Sequence, residues 1–478
     1  MHTTWNNEPV NDIIVTEEKM RKFKAEELSD FARYYGFHYD RINLHAMVKE
    51  LMIEMERGLA GKSSSLPMIP SYITPVTQIA PGKTVLALDA GGTNLRTSLV
   101  HFNENSEAVA QGTRKTSMPG ANGRVSADQF YDKIADAVFP LLNETKVEGI
   151  GFTFSYHTEI TPEAEGIPLA LGKEIDAPEI FGKPIGASLR SALARRGCIY
   201  DGPIVMLNDT TATLLSGFIS ISPDGEAVPQ QPVSGVKSAN DYGAVPGPVI
   251  GFILGTGINA AYPETKIPKI GFDSSGSPQI IVCETGSFTI HNRGQLDMEY
   301  DSTTINPGVC FLEKATSGAY LGPLALHILK QAIRDEVVQF RRSDELLAMK
   351  HLETRIINEF ITAPLAIKGP LGSLFGKDEG DAAAAVQYII SIITERAALI
   401  SAATLVAIIE HMSPGYEPYS PVRIAVEGST YILYKGMRRS LEAWLHIMLT
   451  ENKPRPYVIL PVEQASLFGA AVAALTKE

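Results

Sequence analysis

Cysteine is scarce in this chain. Three occur in 478 residues, Cys198, Cys283 and Cys310, far apart and at no metal-ligand spacing. So odd and sparse a count argues against a disulfide framework and suits a reduced cytosol, so a cytoplasmic location is expected. Positive charge is also short. Lys and Arg number 42 against 54 Asp and Glu, a net charge of −12. A nucleic-acid binder would show a basic face, so that class is disfavoured. The deficit does not bar nucleoside phosphates, which backbone N–H groups and Mg2+ handle locally. The first twenty residues, MHTTWNNEPVNDIIVTEEKM, carry no basic stretch followed by an apolar run, so no signal peptide is expected. Long apolar runs are missing as well. The most apolar stretch, around 397–409, is short for a bilayer and follows Glu395 and Arg396; it reads as a buried core helix and not as a membrane span.

What is present is a globular composition, 44% apolar and 20% charged, in a chain too long for one ordinary core. Two or more domains are expected. Residues 16–60 read as helix from apolar positions at three- and four-residue intervals. Strands are expected at 83–89 and 97–102 as an opening hairpin, then at 147–156 and 202–209. Residues 246–262, PGPVIGFILGTGINAAY, repeat the opening logic of strand, glycine turn and strand. Two such units suggest a duplicated α/β architecture. Long helices are expected at about 311–350 and 381–411, a strand at 422–429, a helix through MRRSLEAWLHIML, and a closing strand and helix. Residues 221–248 are rich in Pro, Gly, Ser and Asp and read as a surface excursion. GLAGKSSS at 58–65 imitates a Walker A loop, but only two residues separate Gly58 from Gly61 where four are needed. It reads as a helix end with a glycine stop.

Four constellations can carry chemistry. Asp89-Ala90-Gly91-Gly92-Thr93-Asn94 joins two strands. Its glycines let backbone N–H groups approach phosphate oxygens, and Asp89 at the strand end is placed to hold Mg2+ through water. The same pattern also suits a tight hairpin with a capping Asp. Gly255-Thr256-Gly257, followed by Asn259, is a second turn of the same kind. Asn208-Asp209-Thr210-Thr211 follows a buried strand, where Asp209 suits a general base that takes the proton of an attacking hydroxyl; equally, it suits an N-cap of the next helix. Ser155, Lys173, Glu284 and Glu313 are polar residues in apolar frames, the kind of set a buried polyol needs, or plain surface residues.

Taken together, these segments resemble the eukaryotic-type hexokinase family, the ATP-dependent hexose kinases of the actin-like ATPase superfamily. The resemblance runs from about residue 50 to the C-terminus. LPMIPSYI at 66–73, LALDAGGTNLR, GFTFSY, LNDTTATL, ILGTGINAAY and INPGVCFLEKATSGAYLG each look like a motif of that family, in its order. The resemblance implies an α/β protein of two-domain, actin-like ATPase (ribonuclease H-like) architecture with a cleft between the domains. It places residues 1–80 as a helical lead-in to the large domain, 81–207 as the small domain, 208–458 as the large domain, and 459–478 as a tail returning to the small one.

By the same resemblance, Asp209 is the base on the 6-hydroxyl and Lys173 offsets charge on the transferred group. Ser155, Lys173, Asn208, Asn259, Glu284 and Glu313 line the sugar. Asp89, Gly91, Gly92, Thr93, Asn94, Thr256 and Gly257 surround the phosphates and Mg2+, and Gly428 and Ser429 touch the nucleoside end. The implied reaction takes ATP and a hexose, glucose first, to ADP and the hexose 6-phosphate. A monomer or homodimer is expected. The chain departs from the family where Leu171 and Gly172 stand for Trp-Thr, His157 for Pro, Glu427 for Asp, and Ala465-Ser466-Leu467-Phe468-Gly469 for Gly-Ser-Gly-Lys-Gly. Those departures leave open an amino-sugar kinase such as one for N-acetylglucosamine, or a catalytically weak sugar sensor. An actin- or chaperone-like ATPase is a third alternative; it leaves the GFTFSY and NDTT matches unexplained.

Overall fold

The computed structural model describes residues 25–76, 79–172, 175–219, 247–274, 276–363, 369–413, 420–450 and 454–477. Its frame is one sheet pattern used twice. The first sheet holds β1 (Thr84–Gly91), β2 (Asn94–Phe102), β3 (Ala108–Ser117), β4 (Ile150–Phe154) and β5 (Ile204–Leu207), in the order β3-β2-β1-β4-β5. The second holds β6 (Val249–Leu254), β7 (Ile258–Glu264), β8 (Gln279–Val282), β9 (Val422–Glu427) and β10 (Tyr457–Pro461), in the order β8-β7-β6-β9-β10. A short strand at Ile69–Pro70 extends it beyond β8. In both sheets the first three strands pair antiparallel and the last two add in parallel. The duplication expected from the two hairpins is therefore one of topology. The central strand β1 is buried on both faces along six consecutive residues, which is why it reads as an unbroken apolar run.

The helices are α1 (Ala25–Tyr34), α2 (Leu44–Leu59), α3 (Ala127–Glu144), α4 (Ile185–Ala194), α5 (Asp209–Ser216), α6 (Phe311–Thr316), α7 (Gly318–Arg334), α8 (Gly380–Met412), α9 (Lys435–Thr450) and α10 (Ala465–Ala473). Apolar side chains of α3 and α4, among them Phe130, Ile134 and Leu189, cover one face of the first sheet. α8 and the helices around it cover one face of the second. The facing sides of the two sheets share a layer built from α5 and α10, with Leu214, Leu467 and Phe468 packed against Ala87, Val205, Val249 and Ala425. Within that layer backbones nearly touch. A Cβ on Gly469 would stand 2.5 Å from Ala212 Cα, and one on Gly151 of β4 would stand 2.5 Å from the Ala470 carbonyl carbon. Only glycine admits approaches this close.

α8 is long and apolar enough by composition to cross a membrane, but 94% of its most apolar window is buried inside the protein, the core helix expected from the sequence. GLAGKSSS ends α2, with Gly61 left-handed at φ 67°, as expected of a glycine stop. The single long helix expected at 311–350 is corrected. It breaks at Ser317, whose backbone is extended, and again after Arg334, before a short helix at Ser343–Ala348. The first break has a tertiary cause. The N–H groups of Gly318 and Ala319 turn to the carbonyls of Gly255 and Thr256, at 2.8 and 3.1 Å, and buttress the second glycine turn. The excursion at 221–248 lies outside the described residues except for its last two, as does the start of the 16–60 helical segment.

Candidate active site

Asp209 is the first residue of α5, directly after β5. The cap of that helix is Asn208, whose side-chain oxygen accepts the Thr210 N–H at 2.7 Å. The Asp209 carboxylate is thereby spared the capping role and lines the cleft between the sheets. Thr210 Oγ1 donates to its Oδ1 at 3.2 Å. Burial pushes the Asp209 pKa above the usual carboxylate range, against the hydroxyls of Thr210 and Ser155, which favour the charged form.

Two backbone turns flank this acid. The first, Gly91 to Asn94, closes the β1–β2 hairpin, and its register puts Asp89 opposite Arg96. Arg96 Nη1 donates to Asp89 Oδ2 at 2.8 Å. Burial raises the Asp89 pKa and the Arg96 charge opposes it. Ser155 hangs from the adjoining strand, its N–H donating to Ala90 O at 3.0 Å. A Cβ on Gly91 would come within 3.4 Å of Ser155 Oγ and 3.7 Å of Asp89 Oδ1. Tyr156 donates its hydroxyl to Gly92 O. The second turn, Gly255 to Gly257, is closed by Gly255 N donating to Gly257 O at 2.9 Å. Thr430 Oγ1 and Gly318 N both donate to Gly255 O. Gly428 supports it from below at φ 119°, where a Cβ would stand 2.7 Å from Gly255 N.

Both turns, Ser155, Asp209 and Gly428–Ser429 line one cleft of about 910 Å³. Behind Gly257 lies a third group. Asn259 Nδ2 donates to Glu284 Oε1 at 2.8 Å, and Glu284 is held left-handed at φ 57°. Glu313 Oε2 would be 2.7 Å from a Cβ on Gly257. Burial raises the pKa of Glu284, with Asp209 adding, and that of Glu313, with Glu284 adding. The three acids Asp209, Glu284 and Glu313 are thus electrostatic neighbours. Asn208 points its oxygen into α5 and is not among the cleft-lining residues. Lys173 lies outside the described residues.

Other contributors carried no pattern readable in one sequence. Arg96 and Tyr156 act through the hairpin. Thr354, Arg355 and Asn358 line a second hollow of about 530 Å³ that meets the main cleft at Thr256 and Ser429. The hairpin register alone pairs Asp89 with Arg96, so that contact was within reach of the sequence. The second hollow depends on the packing of a helix at Thr354–Thr362 and was not. As for a metal, no three His, Cys, Asp or Glu among the described residues gather into an all-protein site. A single carboxylate beside phosphates does fit Mg2+, which usually takes one or two acids and keeps waters. Asp89 offers that, with only Oδ2 committed to Arg96.

The twin sheets, the shared helical layer and the cleft with two glycine turns define an actin-like ATPase fold. Sequence models described as hexokinase match residues 28–219 and 249–476. Hexokinase-2 of Candida albicans is 28% identical over 462 residues, 91% of this chain and 89% of that protein. Hexokinase-1 of Saccharomyces cerevisiae is 26% identical over 470 residues, 92% and 90% of the two chains. A solved hexokinase from Schistosoma mansoni, complexed with glucose, is similar in fold at a TM-score of 0.71 and 22% identity, covering 95% of this chain and 99% of that one. The chain belongs to the hexokinase family and is a hexose kinase, a phosphotransferase.

Proposed function

We propose that the protein transfers the terminal phosphoryl group of ATP to the 6-hydroxyl of a hexose, with glucose the first candidate. The observation that carries this reading is the position of the Asp209 carboxylate between two glycine turns in one cleft. Asp209 takes the proton of the 6-hydroxyl as that oxygen attacks phosphorus. Its raised pKa brings it closer to the working pH and makes it a better proton acceptor than an exposed Asp. Ser155 and the Asn259–Glu284–Glu313 group bind the sugar hydroxyls, with Asn208 beside them. Asn259 holds one Glu284 oxygen at 2.8 Å, which orients the other. N–H groups of Gly91 to Asn94 and of Thr256 and Gly257 cradle the phosphates, and Gly428 and Ser429 reach the nucleoside, which the hollow at Arg355 receives. Lys173 offsets charge on the group in flight. Mg2+, held by Asp89 through water, supplies charge neutralisation at the phosphates.

The moving unit would be the small lobe, residues 81–207, closing against the rest across the α5–α10 layer, with the tail from 459 attached to it. Closure excludes water, which would otherwise accept the phosphoryl group. The test is ADP release by the purified protein with ATP and Mg2+ against glucose, mannose, fructose, glucosamine and N-acetylglucosamine. Turnover without any sugar, or with none of them, overturns the reading. A second reading within the same reaction is an amino-sugar kinase. It is favoured by Leu171 and Gly172, which line the cleft and leave it without an aromatic wall or a hydroxyl at that place.

A further inference from the structure

Glu427 ends β9 and lines the cleft among the phosphate turns. Two hydroxyls converge on one of its oxygens. Ser466 Oγ donates to Oε2 at 3.2 Å, and Thr213 Oγ1 lies 3.4 Å from the same atom. Ser466 belongs to α10 and Thr213 to α5, so both helices of the shared layer fix this carboxyl group. The charged groups that face it are Asp89 from β1, Asp209 from α5 and Arg96 from β2. Arg96 is already engaged with Asp89 at 2.8 Å. The wall is therefore acidic, with one committed cation. A triphosphate seated between the two glycine turns brings several more negative charges into the same space. Burial, with Asp89 and Asp209 adding, lifts the Glu427 carboxyl to about 7.

We propose that Glu427 binds the triphosphate as a neutral carboxylic acid, accepting the Ser466 and Thr213 hydroxyls on Oε2 and donating the hydrogen on Oε1 to a phosphate oxygen. The proposal rests on the ATP reading above and deepens it. An ionised Glu427 would only accept hydrogen bonds and would repel the polyanion. The acid form removes one charge from the wall and adds a donor whose acceptor is anionic, the stronger kind of hydrogen bond. No bond to phosphorus forms or breaks at Glu427, and its proton stays on Oε1 throughout. Bound phosphate charge favours that proton further, so binding above neutrality draws a proton from solvent.

The test is titration calorimetry of the full chain with β,γ-imido-ATP, with and without Mg2+, at pH 6 and pH 8, in two buffers of different ionisation heat. Without Mg2+, wild-type affinity is expected to fall about tenfold from pH 6 to pH 8 beyond any change seen in Glu427→Gln, and to show proton uptake at pH 8 that the variant lacks. Glu427→Gln keeps an N–H donor and is expected to bind within about threefold of wild type at pH 6 and more tightly at pH 8, while Glu427→Ala binds weakly at both. Melting curves establish that each variant folds, and the wild-type proton uptake stands without any variant. A tenfold loss in Glu427→Gln at both pH values with retention in Glu427→Asp overturns the proposal in favour of an ionised, cation-holding Glu427. Equal pH slopes in wild type and Glu427→Gln also overturn it. A wild type that binds no triphosphate at either pH overturns the kinase reading itself, which separates the two failures.

Discussion

Asn208 and Asp209 divide two duties that either could have performed alone. Asn208 satisfies the helix end through its bond to Thr210 N at 2.7 Å, and Asp209 one residue on keeps its carboxylate for the cleft. A strand-to-helix junction delivers both, since the backbone must leave the extended region at the cap and the next side chain then projects from the first turn.

If Asp209 is the base, its replacement by Ala is expected to cut turnover by about 10²–10⁴, roughly 3–5 kcal/mol in barrier, while sugar binding persists in part. Coupled ADP release reads the first quantity and sugar-dependent fluorescence the second. Near-native turnover would remove Asp209 from the mechanism.

The cap can be separated from the sugar contact. Asn208→Ala is expected to lose about 0.5–2 kcal/mol of stability and Asn208→Ser to recover most of it, because serine restores a capping oxygen. Thermal melting follows the cap. A sugar KM raised in both variants marks direct contact with the sugar, whereas a KM that recovers with serine marks a purely structural residue.

The cleft wall at Leu171 and Gly172 sets sugar size. The double substitution Leu171→Trp with Gly172→Thr narrows it and adds a hydroxyl. Its kcat/KM for N-acetylglucosamine relative to glucose is expected to drop about 10–100-fold, in line with the 1–3 kcal/mol such pocket changes command. An unchanged ratio would place selectivity elsewhere.

Glu427 makes folding stability depend on pH in a stated direction. An ordinary Glu ionises near 4.5 and this one at about 7. Between those values the folded chain holds a proton the unfolded chain has lost, so stability falls as pH rises through that window and stays low above it. Glu427→Gln removes the dependence. It is expected to raise stability at pH 8 by about 1–3 kcal/mol over wild type and to change it little at pH 4, measured by denaturant unfolding at both.

Much of this was legible because it is local. The glycine turns at 91–94 and 255–257 announce themselves by composition between two apolar runs, and Asp209 by its place after PIVML. Only the resemblance, not the spacing, brought Asn259, Glu284 and Glu313 into one set, since their meeting behind Gly257 spans three separate elements. The break at Ser317 was hidden because the apolar periodicity of 311–334 runs straight through it, and the hydrogen bonds that cause it go to Gly255 and Thr256, some sixty residues earlier. The exchanged residues near the C-terminus also gain a reason. Leu467 and Phe468 are fully buried in the layer between the sheets, where a charged side chain would be costly.

The backbone-to-backbone seam at Gly469 and Gly151 also orders events in time. The first sheet is complete in the chain at β5, yet the helix that covers its inner face is made roughly 250 residues later, about 10–50 s on at ordinary synthesis rates. Until α10 arrives, Ala87, Val100 and Val205 have no roof, and the nascent chain carries an open apolar face that chaperones would be expected to shield. The last-made helix is then the keystone, and a carboxyl-terminal truncation that reaches Gly469 should strand two half-built lobes instead of trimming an ornament.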